Sequence, residues 1–339
     1  ERCRADRTRV SAASTDSVPE RAVGVGVIGA RSRVATRAVM PAIDASNEAR
    51  LVAVSSLGGP VPAPWEHLAA GTYDDVLTHP DVDAVYIPLP NGMHREWTER
   101  AAEAGKHVLC EKPIAPSVAD ATAMAAACAA AGVVLAEAWM TPFDARWSEA
   151  ISAVRDGKLG TVFDIDSSFT FTIGADASDN YRWSADQGGG ALLDVGIYCL
   201  GPIVELWGAA PDVVDATALW QQSGVDARTE ATLTWADGRE ARIRCSFVDA
   251  EEQRIEVVGA DAALIIEADA HTGGERARSF LVAGSDGRVA TTPVNWSDPY
   301  LGMVDAFART VRGDAPWPRD MITTLDMLTL IERIASASR

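Results

Sequence analysis

Lys112 stands in Cys110-Glu111-Lys112-Pro113, just after a short apolar run, His107–Cys110, that reads as a strand. In open α/β sheets ligands bind beyond the carboxyl ends of parallel strands, and an ammonium there stabilises charge developing on an alkoxide. Asp194 and Tyr198 lie four residues apart in a stretch that reads as helix after the triple glycine Gly188–Gly190, so they share a face. Interconverting an alcohol and a ketone needs one group to hold and polarise the oxygen and another to exchange its proton. Lys112 and Tyr198 are suited to those two tasks. A tyrosine titrates near about 10 in isolation, and a close ammonium would favour the phenolate and lower that value. Tyr198 is thus the candidate general acid/base, while Asp194 orients the pair or hydrogen-bonds a substrate hydroxyl.

A second constellation lies near the start. The run VGVGVIGARSRVA contains a literal G-x-G-x-x-G at Gly24, Gly26 and Gly29. Gly24 and Gly26 fall inside the strand, whereas phosphate binding needs glycine where the strand turns into the helix. The candidate phosphate turn is therefore Gly29-Ala30-Arg31-Ser32-Arg33-Val34, with Ala35 at the close helix–sheet contact. An NAD site usually has an acidic residue about 20 positions on, for the ribose 2′-hydroxyl. Here that place reads Val54-Ser55-Ser56-Leu57. Hydroxyls at Ser55 and Ser56 with arginines at 31 and 33 suit a 2′-phosphate, which a carboxylate would repel. NADP is the expected cofactor, with NAD possible.

The elements that must position these groups follow two grammars. From Arg21 to about Pro142, short apolar strands (Ala22–Ile28, Leu51–Ser55, Ala84–Pro88, His107–Cys110, Val133–Ala136) alternate with helices, which predicts a parallel, doubly wound Rossmann sheet. From residue 143 onward, a helix and the long alternating strand Thr161–Thr172 precede the helix Gly190–Leu206. Strand after strand then runs from Val213 to Ala290, and the chain ends in two helices. Consecutive strands with short turns predict an open, mainly antiparallel sheet. The class is α/β with two domains, 21–142 and 143–339, the C-terminal helix packing back on the first.

Composition narrows the function. The chain has 339 residues and a net charge of −18, which repels nucleic acid and anionic membrane. No run is long and apolar enough to span a bilayer. Five cysteines without metal-ligand spacing argue against a disulfide scaffold or metal site and fit a reducing, cytoplasmic compartment. Residues 1–20, polar and arginine-bearing, read as a disordered extension. The expected partner is a small carbohydrate or cyclic alcohol or ketone.

Taken in order, the segments DVDAVYIPLPNGMH (81–94), AGKHVLCEKPIA (104–115), AEAWM (136–140), DNYRW (179–183) and GGGALLDVGIYCL (188–200) resemble the glucose–fructose oxidoreductase / inositol dehydrogenase (Gfo/Idh/MocA) family. Tyr198 places the chain with the branch carrying tyrosine where many relatives have histidine. The resemblance implies hydride transfer to or from a nicotinamide cofactor. It implies that Lys112 is catalytic and touches the nicotinamide ribose. Pro88, Leu89, Asn91, His94, Glu111, Arg182 and Trp183 would line the cofactor, and Lys112, Asp194, Tyr198 and Trp139 the substrate. It also implies a homo-oligomer, dimer or tetramer, formed through the open sheet; the second half has only a few helices to cover that sheet, so one face is expected to be apolar and exposed. The segment Glu137–Ala145 lacks the tyrosine, arginine and histidine common in relatives, and the phosphate turn lacks their further glycines. A non-catalytic dinucleotide-binding regulator, or a hydrolase or lyase cycling a bound nicotinamide, stay open as alternatives.

Overall fold

The computed structural model describes residues 22–174, 177, 180–274 and 278–339; the expected extension at 1–20 lies outside the described residues. The first sheet comprises β1 (Val23–Ile28), β2 (Ala49–Ser55), β3 (Ala84–Ile87), β4 (His107–Glu111) and β5 (Leu135–Ala138). All its pairings are parallel, in the order β2-β1-β3-β4-β5. Every residue of β1 and β3 is buried, as expected where helices cover both faces. Those helices include α1 (Met40–Ala45), entered through a wide π-helical turn at Ala35–Val39, α2 (Tyr73–Leu77), α3 (His94–Glu103) and α4 (Val118–Ala131). The strand glycine at 24 has a packing origin: a Cβ there would fall 2.0 Å from the Asp81 carbonyl oxygen. The fifth strand starts later than the run Val133–Ala136 suggests. Gly132 adopts the left-handed cap of α4 (φ +69°), and Val133 N–H still donates to the Cys128 carbonyl (3.0 Å).

After α5 (Ala145–Arg155) come β6 (Val162–Thr172), α6 (Ile197–Trp207), β7 (Val213–Trp220), β8 (Asp226–Thr234), β9 (Glu240–Ser246), β10 (Val248–Gly259), β11 (Ala262–Glu267), β12 (Ser279–Gly284) and β13 (Val289–Pro293). They form one sheet in the order β13-β12-β11-β10-β6-β9-β8-β7. One pairing departs from simple succession. β6 inserts between β10 and β9 and runs parallel to β9, because the chain leaves it through the crossover that carries α6.

The expectation of an exposed apolar sheet face is corrected. Alternation turns Ile165, Ile243, Ile255 and Val257 inward and leaves charged side chains outside. Arg242 reaches Asp164 (2.7 Å), Asp166 (3.2 Å) and Glu240 (2.7 Å), Arg254 reaches Glu256 (2.9 Å), and Arg244 pairs with Glu252. Exposed apolar side chains such as Phe163, Val213 and Leu219 sit toward strand ends and the β7 edge.

The last two helices, α7 (Pro299–Arg312) and α8 (Met321–Ala337), return to the first sheet's layer. Arg312 Nη2 on α7 pairs with Glu48 (2.5 Å), and Glu332 on α8 accepts the Val118 N–H at the start of α4 (2.9 Å). No helix of the described residues is long and apolar enough to cross a membrane.

Candidate active site

The site forms where the carboxyl end of β4 meets the start of α6. Tyr86 on β3 donates its hydroxyl to Glu111 Oε1 (2.6 Å), and Glu111 Oε2 accepts the Lys112 N–H (3.2 Å). Burial raises the Glu111 carboxyl above its ordinary value, against the lowering by Tyr86 and Lys112. On the other side of this turn, His94 Nδ1 lies 3.0 Å from the Pro113 carbonyl and Nε2 2.8 Å from that of Leu89. The position at which the lysine leaves the strand is thereby fixed.

Its partners come from the helix opposite. Gly188 O accepts from Asn91 Nδ2 (2.8 Å), docking the triple glycine onto the loop after β3. Gly190 takes φ +113°, and a Cβ there would meet Asp226 Oδ1 at 2.4 Å. Buried Asp226 then accepts from Leu192 N–H (2.8 Å) and Thr229 Oγ1 (2.8 Å). This secures the π-helical turn Leu192–Gly196 that leads into α6, and such turns recur at functional sites.

Asp194 sits in that turn, 4 % exposed. Lys112 Nζ donates to its carbonyl (2.8 Å) and to Oδ1 (3.2 Å), and Arg182 Nε donates to Oδ2 (2.5 Å). Burial alone would raise the Asp194 carboxyl; the Lys112 ammonium and the Arg182 guanidinium overrule it and hold it at about 2. The same ammonium lies over the Tyr198 ring, 4.6 Å from its centroid. Trp139 stacks on that ring at 5.1 Å with planes 26° apart, and Phe169 packs tilted at 5.7 Å. The structure thus brings together Lys112, Asp194, Tyr198, Arg182 and Trp139.

One expectation is reversed. The Tyr198 phenol is pushed well above its ordinary value, first by burial and then by the Glu111, Asp194 and Glu137 carboxylates. The Lys112 ammonium, hydrogen-bonded to Asp194 and set over the ring face, does not outweigh them. Tyr198 therefore rests as a protonated phenol, a proton donor.

Other candidate residues lie differently from the sequence reading. His94 is fully buried with both ring nitrogens against backbone carbonyls, so it braces the site rather than lining a crevice. Glu111 is likewise committed to Tyr86 and the backbone. Trp183 packs edge-on against Phe247 (5.6 Å, 89°). At the phosphate turn, Gly24 and Gly26 are within β1 and Gly29 turns with φ +104° against Leu89, beyond buried Pro88. Gly29 and Ala30 both donate to the Ser55 carbonyl (2.9 and 3.0 Å). Ser55 itself is fully buried and donates its hydroxyl to the Gly71 carbonyl (3.2 Å), so it faces away from the turn. Ser56 is the partly exposed serine, bonded to the Gly59 carbonyl (2.6 Å). Arg31 reaches that same turn: a Cβ on Gly59 would fall 1.9 Å from its Nη1. Ser32, Arg33 and Val34 complete the turn with Arg33 exposed.

Asp226, Glu137, Arg319 and His271 were not identified from the sequence. Each acts through a contact more than 30 residues away in the chain, which no local spacing signals.

The family model described as an oxidoreductase family with an NAD-binding Rossmann fold matches residues 23–138, and its C-terminal-domain model matches 147–265. The chain belongs to the Gfo/Idh/MocA oxidoreductase family. It is an NAD(P)-dependent oxidoreductase acting on CH–OH groups, which removes the non-catalytic regulator as a reading. Among family members it is 36% identical to D-xylose 1-dehydrogenase (NADP(+)) 2 of Haloferax volcanii, over 86% of this chain and 90% of that one. A 3-ketoreductase from Actinomadura kijaniata, solved with NADP and TDP-benzene, superimposes with a TM-score of 0.87 at 26% identity, covering 94% of this chain and 98% of the other. Aldose-aldose oxidoreductase from Caulobacter crescentus, solved with glycerol, gives 0.84 at 31% identity over the same shares.

Because Asp194 titrates lower folded than unfolded, its contribution to stability is present above its ordinary value of 3.8 and is lost as pH falls toward about 2. Asp194→Asn leaves two buried cations without their anion and is expected to cost about 3–5 kcal/mol near neutrality. Urea unfolding of parent and variant should show that gap narrowing as pH drops below about 4. A gap independent of pH would remove Asp194 as the charged centre.

Proposed function

We propose that this chain moves hydride between NADP(H), in preference to NAD(H), and a hydroxyl- or carbonyl-bearing carbon of a sugar, polyol or related cyclic substrate. Lys112 holds the substrate oxygen and Tyr198 exchanges its proton. The observation that carries the reading is the Lys112 ammonium lying 4.6 Å over the Tyr198 ring while tied to Asp194.

The residues at the first strand's end fit a dinucleotide. Gly29 has the left-handed turn (φ +104°), and the helix that follows it has no capping side chain at its N-terminus. An uncapped N-terminus offers N–H groups and a positive dipole end to a phosphate. Residues 29–34 would hold the pyrophosphate, Ser56 and Arg31 the 2′-phosphate, and the Pro88–Asn91 loop with Arg182 the ribose and nicotinamide side. When bound, the nicotinamide supplies or accepts the hydride. Lys112 stabilises charge developing on the substrate oxygen. Tyr198, a phenol at rest, is ready to donate a proton, which suits carbonyl reduction. Alcohol oxidation would draw on its phenolate and so gain with rising pH.

The relatives' printed names point the same way: one is an NADP(+)-dependent xylose dehydrogenase and another a ketoreductase solved with NADP. Self-association through the open sheet also belongs to the proposal, now on ion-pair rows rather than apolar contact. Light scattering that gives a single-chain mass at micromolar concentration and low salt would remove it.

A screen of sugars and polyols with both cofactors, read at the nicotinamide absorbance, tests the main reading. NADP should be used at least about tenfold more efficiently than NAD, about 1.4 kcal/mol. Ser56→Asp should shift the preference toward NAD by repelling the 2′-phosphate. Tighter use of NAD by the parent contradicts the cofactor assignment.

A further inference from the structure

We infer that Arg319, supplied by the C-terminal segment, is a positioning residue for Tyr198, setting the plane of the phenol ring through Trp139 and balancing the Glu137 carboxylate beside it. The inference rests on the reading of Tyr198 as the proton-exchanging group.

Arg319 lies just before Asp320, the residue that caps α8. Its side chain is 8 % exposed, and its Nε donates to Glu137 Oε2 at 3.0 Å. Its guanidinium also lies over the Trp139 ring, 4.9 Å from the centroid. Trp139 stacks on Tyr198, whose ring carries the Lys112 ammonium. Two stacked rings are thus associated with two cations, Lys112 from the end of β4 and Arg319 from the far end of the chain. Cation–π contact and offset stacking have directional preferences, so such a column resists rotation of the phenol ring more than aliphatic packing does.

Glu137 connects this column to the catalytic turn. Its Oε1 accepts the Ile114 N–H (3.1 Å), two residues beyond Lys112, and its Oε2 accepts from both Arg319 and Thr324 Oγ1 (3.0 Å). One carboxylate therefore holds the loop that carries the ammonium and the cation that sets the aromatic stack. Around Tyr198 the charged and titratable groups are Glu111 from β4, Lys112 just after it, Glu137 from β5, Asp194 from the turn before α6, and Tyr181 with Arg182 from the preceding loop. Tyr300 on α7 and His271 after β11 complete the set. Three of these groups are carboxylates that favour the protonated phenol. Arg319 is the cation directly bonded to the one on β5. Without it, Glu137 would keep its Ile114 and Thr324 bonds and lose its counter-charge.

A merely structural arginine would lower stability and leave the phenol unchanged in the folded protein. The test is a double-variant cycle of Arg319→Gln with Tyr198→Phe, under conditions where thermal melts show each protein folded. The first readout needs neither cofactor nor substrate. The near-ultraviolet circular dichroism difference, parent minus Tyr198→Phe, reports the fixed setting of this ring. It should shrink to less than about half in the Arg319→Gln background, since a mobile ring loses that signal, and be largely restored in Arg319→Lys, which keeps the cation over Trp139. The second readout is turnover of the sugar or polyol identified in the screen, starting with D-xylose. Arg319→Gln should lower kcat by roughly 10- to 100-fold with the NADP(H) Kd within about twofold, and cost less than about twofold once Tyr198 is already phenylalanine. An unchanged difference spectrum, or an equal loss of kcat in both backgrounds, overturns the inference. If Arg319→Gln gives no cooperative melt, Arg319→Met, which keeps the bulk over Trp139 and removes the charge, is run through the same cycle, and full additivity there overturns it too. A Tyr198→Phe protein with parental turnover would defeat the functional reading, and the spectrum would still decide the role of Arg319.

Discussion

A buried carboxylate shared by two cations is the constraint around which this site is organised. Asp194 is almost out of solvent, where a lone carboxylate would be strongly disfavoured, yet it stays ionised because Lys112 and Arg182 both bond to it. The trio carries one surplus positive charge beside the Tyr198 ring. That surplus is what a site needs to hold an oxygen becoming an alkoxide, and the pairing keeps the lysine from swinging into solvent.

Each member of the trio arrives from a different part of the fold. Lys112 comes off a strand whose end is pinned by Tyr86, Glu111 and His94, Asp194 from a π turn tied to Asp226 on the second sheet, and Arg182 from the loop before the triple glycine. The parallel sheet supplies the strand end and the crossover after β6 supplies the helix. This is why β6 lies in the middle of the second sheet rather than following its neighbours in order. The C-terminal segment then closes the back of the site through Arg319, Glu137 and Trp139.

Much of this was legible in the sequence, and the reasons differ from residue to residue. Two sheets could be read because strand period and helix alternation change near Pro142. Lys112, Asp194 and Tyr198 could be read because a strand-end cation and a helical four-residue spacing are local signals. The orientation of Ser55 could not: at the end of a strand buried on both faces, alternation does not say which serine turns outward. His94 looked like a lining residue because proximity to the crevice is visible in sequence and the backbone carbonyls that take up its ring are not. The acidity of Tyr198 is hidden from the sequence for a related reason. Its direction is set first by burial and then by carboxylates brought from other strands, neither of which a four-residue helical spacing shows. The sheet's outer face was expected to be apolar from a count of covering helices, although the alternating Asp, Arg and Glu of β6, β9 and β10 already carried the answer.

The central claim is that the ammonium held by Asp194 and the phenol of Tyr198 act as one unit on the substrate oxygen. Single-turnover hydride transfer at saturating NADP(H), measured for Lys112→Met, Tyr198→Phe and the double variant, tests it most directly. Each single change should slow the step by roughly 10²–10⁴, and the double variant should be little slower than the worse single one. Single variants within about threefold of the parent rate, far short of a general acid/base loss, or losses that multiply in full, would contradict the account.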